Sequence, residues 1–220
     1  TSYARYYEDP SNEDPVNVDE DRPILIGSDG FPVRNTEYKV IGNAQPDWTA
    51  GITNTFNYKN VSLSFLVDIK KGGDLYNQPA AFYAAQGTHP ETANRAETKV
   101  FNGVLADGSE NTKEVYLGQG MYEGTNYGDG FYRNVWRRVA SNFVEDASWV
   151  RLRNLSVSYS LPTKWIEGSL LQSATISFTG NNLWLYTPYS GFDPESSQFG
   201  AGSNTQGFQG LRTPATKSYT

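Results

Sequence analysis

The stretch DASWVRLRNLSVSYSLP, residues 146–162, decides how the rest of this chain is interpreted. Apolar and small polar residues alternate along it. The apolar residues fall on one face of an extended strand and the polar residues on the other: Leu155, Val157, Tyr159 and Leu161 against Asn154, Ser156, Ser158 and Ser160. This pattern predicts a β-strand with two different faces, but it does not say whether the apolar face meets a protein core or lipid.

Composition excludes several classes of protein. The 220 residues are 37% hydrophobic, with a mean hydropathy of -0.59, and they contain no run of 18 apolar residues. A transmembrane helix is therefore not predicted. A low average does not exclude a membrane barrel, because lipid-facing and lumen-facing residues alternate in its strands. The 15 Tyr, 11 Phe, 5 Trp and 21 Gly favour strands and turns.

Charge and cysteine content narrow the choice further. A net charge of -6 without a basic patch argues against a nucleic-acid partner. The absence of cysteine excludes a disulfide scaffold, a zinc–thiolate site and a thiol nucleophile. The chain begins at Thr1 without Met and without the pattern of a signal peptide, which predicts a processed or incomplete chain.

Alternation predicts four long strands in two pairs. The first pair lies within residues 48–70 and is joined by a turn at Lys59 and Asn60. The second pair lies within residues 146–186 and is joined by a short link after Pro162. Residues 212–220 begin a further strand. Leu66 is the one apolar residue on the polar face of its strand.

Longer segments separate these strands. Residues 1–47 are polar and acidic, with a small hairpin expected around Ser28 and Gly30. Residues 71–145 contain two predicted short helices, at 78–86 and 133–143, and residues 187–211 form a Gly- and Ser-rich loop. Short turns at one end and long loops at the other are typical of outer-membrane barrels. The expected fold class is therefore all-β, an antiparallel transmembrane β-barrel segment with long extracellular loops.

Aromatic residues provide an independent test of this topology. They cluster at the two predicted ends of the strands, with Trp48, Trp149, Trp184 and Tyr186 at the outer end and Tyr58, Tyr159 and Trp165 at the inner end. Ten residues at ~3.3 Å each, tilted by ~40°, span roughly 25 Å, the height of an outer-membrane apolar band. The spacing predicts that these seven aromatics lie at the membrane interfaces, and that the odd-numbered residues 61–69 face lipid.

Three stretches resemble a known family. Residues 41–68 (IGNAQPDWTAGITNTFNYKNVSLSFLVD), 146–162 and 179–195 (TGNNLWLYTPYSGFDPE) resemble the C-terminal barrel segments of SusC/RagA-type TonB-dependent outer-membrane transporters of Bacteroidota. The similarity spans residues 41–76 and 144–220. It implies the C-terminal strands of a large plugged barrel of about 22 strands, located in the outer membrane.

The resemblance also implies function and partners. These transporters import oligosaccharides or peptides together with a SusD-like surface lipoprotein, and TonB drives them. The plug and the TonB box are absent from this sequence, so TonB is expected to act through a missing N-terminal part. Residues 71–145 are predicted to be an ordered extracellular loop that helps to form the lipoprotein docking surface, and not an independent domain.

The long loops are the predicted contact regions, because loops carry specificity on rigid scaffolds. Their aromatic side chains offer stacking faces and hydrogen-bonding tips for a sugar, a peptide or the partner lipoprotein. The candidate contact residues are Tyr122, Tyr127, Trp136, Tyr189 and Phe192.

Two arginines conflict with a simple lipid-facing strand. Arg151 and Arg153 share the phase of Leu155 and Val157, which places two charges towards lipid. Either a β-bulge near Asn154 turns them inwards, or they reach the anionic lipid headgroups with extended side chains.

The remaining polar features predict structure more than chemistry. His89 lacks a second His or a Cys, so a loop residue is favoured over a metal ligand. Asp193 and Glu195 form either a general acid/base pair or, with Pro194 between them, a structural turn. The acidic residues 11–23 (SNEDPVNVDEDRP) lack the spacing of a twelve-residue calcium loop. We therefore expect no enzyme activity, no metal and no cofactor.

One alternative function stays open at this point. A soluble secreted β-protein that binds carbohydrate through aromatic loop residues has a similar composition. The need for detergent in extraction distinguishes this class from a barrel segment.

Overall fold

The computed structural model describes residue 3 and residues 21–118, 130–168, 170–196, 198–199 and 204–220. It contains mostly β-strands and divides into two compact units. The loop unit consists of Thr1–Asn43, Leu75–Val144 and Phe208–Leu211, and the sheet unit consists of Ala44–Asp74, Glu145–Gly207 and Arg212–Thr220.

The elements follow one another along the chain. The strands are β1 (Trp48–Tyr58), β2 (Val61–Lys71), β3 (Asp74–Asn77), β4 (Thr98–Val100), β5 (Glu114–Tyr116), β6 (Val144–Asp146), β7 (Trp149–Ser160), β8 (Thr175–Tyr186), β9 (Phe208–Gln209) and β10 (Ser218–Tyr219). The α-helices are α1 (Gln78–Ala85), α2 (Gly130–Asn134) and α3 (Thr163–Ile166). Short 3-10 helices lie at Pro90–Thr92, Trp136–Arg138 and Ala140–Phe143.

The sheet unit is an antiparallel sheet in the order β1-β2-β7-β8-β10. The turn between β1 and β2 places Lys59 at a φ of 52°, in the left-handed region. Asn60 in this turn accepts a hydrogen bond from the Ser160 N–H and donates its side-chain amide to the Ser160 carbonyl. The first hairpin is thereby joined to the end of β7, although 77 residues separate the end of β2 from Trp149 and β7.

The loop unit has a core of its own. Its buried residues come from two distant parts of the sequence: Ile26, Phe31, Phe101, Val115, Leu117, Phe131, Tyr132 and Val135. A tight turn over residues 27–31 brings the Ile26 N–H to the Val104 carbonyl at 2.8 Å. Residues 71–145, which the sequence predicts to be one loop, therefore share this core with the segment before residue 43.

A second cluster of buried residues surrounds α1. The Asn77 side chain accepts a hydrogen bond from the Ala80 N–H at 3.0 Å and caps the helix, and Pro79 lies in its first turn. Small side chains let Phe143 approach closely, because Ala80, Ala81 and Ala84 are buried against it.

The predicted helix at 133–143 is wrong. The chain forms α2 and two 3-10 turns there, separated by Val139 in an extended conformation (φ -93°, ψ 98°). Val139 is fully buried, as is Phe143. The backbone conformation that buries these two side chains is therefore not that of a continuous helix.

None of the helices formed by the described residues has the length and apolar character that crossing a membrane requires.

Candidate functional site, a sheet with two different faces

One face of the sheet is apolar and exposed. Cross-strand pairing aligns Ile52, Val67, Leu152 and Trp184 in one row, and Phe56, Leu63, Val157 and Phe178 in another. The exposed fractions are large, at 54% for Phe56, 55% for Phe178 and 65% for Ile176. Contiguous exposed apolar patches of this kind mark surfaces that contact a membrane or another protein.

The opposite face carries hydroxyl and amide groups. Thr55, Ser64, Ser156 and Thr179 form one of its rows. Ser156 and Thr179 are hydrogen-bonded through their hydroxyls at 3.0 Å, and Asn154 donates to Asn181 at 2.9 Å. The two faces therefore differ in chemistry along the whole length of β7 and β8.

A β-bulge in β7 changes which face its first residues occupy. Leu66 pairs with Asn154 and Val67 with Leu152, so Arg153 has no residue directly opposite it on β2. On the other side, Asn182 and Leu183 interrupt β8, and Asn182 has a φ of 53°. The extra residue shifts the alternation by one, as bulges do. The predicted bulge near Asn154 is present, and Arg151 lies opposite Asp68 on the polar face. That this face is the interior of a barrel stays a prediction.

The arginines bind the carboxylates of the loop that follows β8. Arg151 Nη2 lies 2.7 Å from Asp193 Oδ1, and both side chains are only 3% exposed. Arg151 Nε lies 2.8 Å from Glu195 Oε2, at an angle that does not make it a hydrogen bond. Arg153 binds Glu195 at 2.7 Å and Asp68 at 2.9 Å, in a more exposed position.

Asp193 also holds the backbone of its own loop. Its Oδ1 accepts a hydrogen bond from the Glu195 N–H at 3.0 Å, and its Oδ2 accepts one from the Ala215 N–H at 3.2 Å. These contacts agree with the structural role predicted for Asp193 and Glu195. Sequence analysis did not predict a role for Asp68. The feature that could have indicated one is its position on the polar face of a predicted strand, where a charged residue is available to pair with the arginines of another strand.

The expectation for Trp149 needs a correction. The bulge that moves Arg151 to the polar face moves Trp149 with it, opposite Lys70. Trp149 is only 7% exposed, and the guanidinium groups of Arg151 and Arg153 lie 5.8 and 5.3 Å from its ring. Trp149 thus packs with the arginines and is not on the exposed apolar face with Trp184.

The other six predicted interface aromatics are more accessible. Tyr159 is half-buried, and its ring lies 6.3 Å from that of Trp165. The remaining five are exposed, at 51% for Trp48, 71% for Tyr58, 70% for Trp165, 53% for Trp184 and 64% for Tyr186. Their position at a membrane interface stays a prediction.

The predicted contact residues of the loops differ from one another. Phe192 is 53% exposed. Trp136 is half-buried and packs against Phe143, Tyr132 and His89. Tyr122 and Tyr127 lie outside the described residues. Their contact with a ligand stays a prediction.

Tyr189, the remaining contact candidate, is buried. Only 4% of it is exposed, and its N–H donates to the Thr187 hydroxyl. Burial, together with the negative charge of Glu145, raises the pKa of the Tyr189 phenol. Its side chain is therefore a packing residue of the loop after β8 in this structure.

His89 begins a 3-10 helix. Its Nδ1 accepts a hydrogen bond from the Glu91 N–H at 3.2 Å, and its ring lies against Trp136. Within the described part of the chain, His, Asp and Glu side chains do not form a group of three that could hold a metal ion.

Comparison with known proteins gives relatives of one kind. No family model matches the chain. It is 28% identical over 165 residues to TonB-dependent receptor P3 of Formosa agariphila, covering 75% of this chain, and 27% identical over 185 residues to TonB-dependent receptor P26 of the same organism, covering 82%. The matched regions are 14% and 17% of the lengths of these receptors, so the chain spans a small part of them.

Solved structures show the same fold. The RagAB peptide importer in its closed-closed state superposes with a TM-score of 0.51 at 20% identity, covering 99% of this chain and 21% of the other. A second RagAB peptide transporter structure gives a TM-score of 0.50 at 21% identity, covering 80% of this chain and 16% of the other. The predicted resemblance is confirmed: this chain is similar in sequence to TonB-dependent receptors of a member of the Bacteroidota, and in fold to part of the RagA-type barrel transporter.

Proposed function

We propose that this chain is part of an outer-membrane TonB-dependent transporter and contributes adjacent strands to its barrel wall. The observation that carries this proposal is the exposed apolar face of β1, β2, β7 and β8, which is backed by a polar face of the same strands. A transmembrane barrel needs this arrangement, with lipid outside and a polar interior. In this arrangement the ion-paired loop after β8 lies on the interior side of the wall.

The edges of the sheet support the same proposal. Strands β1 and β10 are the outermost strands of the five. In lipid, their outward N–H and C=O groups need partners, since an open edge is not stable in the hydrocarbon region. Further strands of a longer receptor would supply these partners and close the barrel.

The proposed cargo is an oligosaccharide or a peptide, taken up with a SusD-like lipoprotein and with energy supplied through TonB. RagAB is a peptide importer, which supports a peptide as one of the two proposed cargoes. Phe192 and the loop aromatics Tyr122, Tyr127 and Trp136 remain the proposed contacts. The loop unit is the proposed docking surface for the lipoprotein on the cell exterior.

Cell fractionation tests the membrane location. We expect the receptor that contains this chain to sediment with the outer membrane, to resist extraction by alkaline carbonate and to be released by detergent. Release by carbonate alone would contradict the proposed function and favour a soluble β-protein.

The docking role needs a change that leaves the loop unit folded. A deletion between residues 87 and 120 removes Phe101, Val115 and Leu117 from its core, so it does not test docking. Phe82 is a better choice, because it is 48% exposed on α1. We expect Phe82→Asp to weaken co-purification of the lipoprotein several-fold, since exposed aromatics are enriched in interfaces.

The matched control for docking is Gln78→Asp. Gln78 is an exposed residue of the same helix, and the substitution adds the same charge at the first turn, where a helix tolerates it. Equal co-purification with Phe82→Asp, Gln78→Asp and the unchanged receptor would contradict docking through α1.

A further inference from the structure

An open cleft lies at one end of the sheet, where β1 and β7 begin and β2 and β8 end. Its volume is about 390 Å³, within the range of small-molecule sites. Lys70 and Trp149 border it, but they lie opposite each other on the polar face, so the Lys70 ammonium does not count toward the charge of the cleft. The other lining residues are Trp48, Ile69, Lys71, Asp146, Ser148, Val150, Tyr186 and Pro188.

The strand register orders this cleft from polar to apolar. Lys71 lies opposite Trp48 in the last row of the β1–β2 pairing. Two further rows follow on the same face of β2, β7 and β8, and all of their residues are apolar or aromatic: Ile69, Val150 and Tyr186, then Val67, Leu152 and Trp184. Rows two residues apart are separated by about 7 Å along the strands. The cleft therefore matches a ligand with a polar head at Lys71 and an apolar tail along the strands.

The polar end of the cleft has one cation and one anion. Lys71 Nζ is 3.8 Å from Asp146 Oδ2, and the two side chains are 55% and 47% exposed. This distance is longer than a direct hydrogen bond, so both groups can bind a third group. The other carboxylate oxygen of Asp146, Oδ1, accepts from the Ser148 N–H and hydroxyl, which holds the carboxylate in place. A charged head is attracted by one member of the pair and repelled by the other, whereas a neutral head with donors and acceptors matches both.

Aromatic rings stand beside this pair. Trp48 is 51% exposed and Tyr186 64%, and the Tyr186 ring is nearly parallel to that of Trp184, at 16°. The faces of aromatic rings carry partial negative charge, which attracts polarised C–H groups such as those of a sugar ring.

Sugar hydroxyls also suit the ion pair. A hydroxyl both donates and accepts hydrogen bonds, so it can donate to Asp146 and accept from Lys71 without separating them. A zwitterionic phospholipid head would have to separate the two side chains, because its phosphate binds only the cation and its ammonium only the anion.

We propose that this cleft binds one neutral glycolipid. The sugar hydroxyls bind Lys71 and Asp146. The sugar ring lies against Trp48 and Tyr186, and the acyl chain continues over the apolar rows. Balanced charge at the polar end selects a neutral head, and the continuous apolar surface selects a lipid over a free sugar. This inference rests on the proposed membrane location and adds a specific lipid site to it.

The test uses the purified receptor in micelles of octaethylene glycol dodecyl ether, titrated with dodecyl maltoside. Dodecylphosphocholine has the same chain with a zwitterionic head, and maltose has the same sugar without the chain. Native mass spectrometry counts the molecules that stay bound after the micelle is removed. We expect dodecyl maltoside to be retained, and an excess of either competitor not to displace it.

Two variants and two matched controls assign this binding to the cleft. Lys71→Met should weaken dodecyl maltoside binding about ten-fold, because a hydrogen bond to a charged group is lost. Trp48→Ala should weaken it several-fold through loss of the ring. Tyr58→Ala removes a 71% exposed aromatic from the same face at the other end of β1, and Lys70→Met removes the neighbouring cation from the polar face. Both controls should leave binding unchanged.

Asp146→Asn keeps the inference testable if Lys71→Met does not assemble. It retains an oxygen for the Ser148 donors but removes the negative acceptor, so it should also weaken binding. Equal retention of dodecyl maltoside and dodecylphosphocholine, displacement by maltose, or the same affinity in the variants and the controls would overturn the glycolipid site. A receptor that is embedded in the membrane but shows these results refutes only the site, whereas a receptor absent from the membrane refutes the proposed function.

Discussion

Removal of the Arg151 guanidinium should destabilise the sheet unit more than removal of the Arg153 guanidinium. Arg151→Met keeps most of the side-chain volume but leaves Asp193, which is 2% exposed, without its cation. Removing one partner of a buried ion pair costs about 3–5 kcal/mol, because the remaining charge is desolvated and uncompensated. Arg153→Met is the matched comparison, since its contacts with Asp68 and Glu195 are about one-third exposed. It should cost about 1 kcal/mol or less.

The assay for Arg151 is denaturant unfolding of the receptor in lipid vesicles, with the free energy of unfolding taken from the transition midpoint and slope. Cleavage by protease within residues 187–215 reports the local release of the loop. Adding Asp193→Asn to Arg151→Met removes the buried charge and keeps one side-chain oxygen, which can accept from the Glu195 N–H but not also from the Ala215 N–H, because these two amides donate to different oxygens of Asp193. The double variant should recover stability through a coupling energy of about 2–3 kcal/mol. Equal effects of Arg151→Met and Arg153→Met, with additive double variants, would refute the reasoning.

Two further predictions concern backbone strain and pH. Gly30 and Gly168 have φ values of 87° and 86°, but a Cβ at Gly30 meets Val115 Cγ1 at 2.6 Å, whereas a Cβ at Gly168 meets nothing within 4 Å. Gly168→Ala should therefore cost about 1 kcal/mol and Gly30→Ala clearly more, measured by thermal unfolding; equal costs would contradict the contact argument. Burial raises the pKa of Tyr189, so its folded form keeps a proton that the unfolded form releases above pH about 10. Stability should be unaffected by this group below that pH and should fall above it, and Tyr189→Phe should make the fall less steep; an unchanged pH profile in that variant would contradict the assignment.

Sequence periodicity locates the long strands well, because the two faces of the sheet meet different surroundings along its whole length. β1, β2 and β8, and β7 after its bulge, keep a two-residue alternation that can be recognised without knowledge of their partner strands. The exact position of the bulge cannot be predicted from periodicity in this way. One extra residue in β7 is defined only by its pairing with β2 and β8, so the sequence left two alternatives for Arg151 and misplaced Trp149.

The loop unit was less predictable, because its core is formed by long-range contacts. The Ile26 N–H donates to the Val104 carbonyl, and Phe31 packs on Phe101 and Phe131 across about 70 to 100 residues of sequence. No local periodicity in the sequence predicts such contacts. The ion pairs between the arginines and the 193–195 turn are also long-range contacts, because each joins residues 42 positions apart in the sequence.

The most direct test of the central claim compares two neighbouring positions in β8. Phe178 and Ser177 are both exposed and point to opposite faces, opposite Val157 and Ser158. This chain contains no cysteine, and cysteines elsewhere in the receptor are first replaced by serine, so that Phe178→Cys and Ser177→Cys each carry one nitroxide label. With the receptor in lipid vesicles, electron paramagnetic resonance measures the collision of each label with oxygen, which dissolves in lipid, and with a water-soluble nickel chelate. We expect position 178 to favour oxygen and position 177 to favour the chelate. Preferential collision with the nickel chelate at both positions would contradict the claim that the apolar face of this sheet meets lipid.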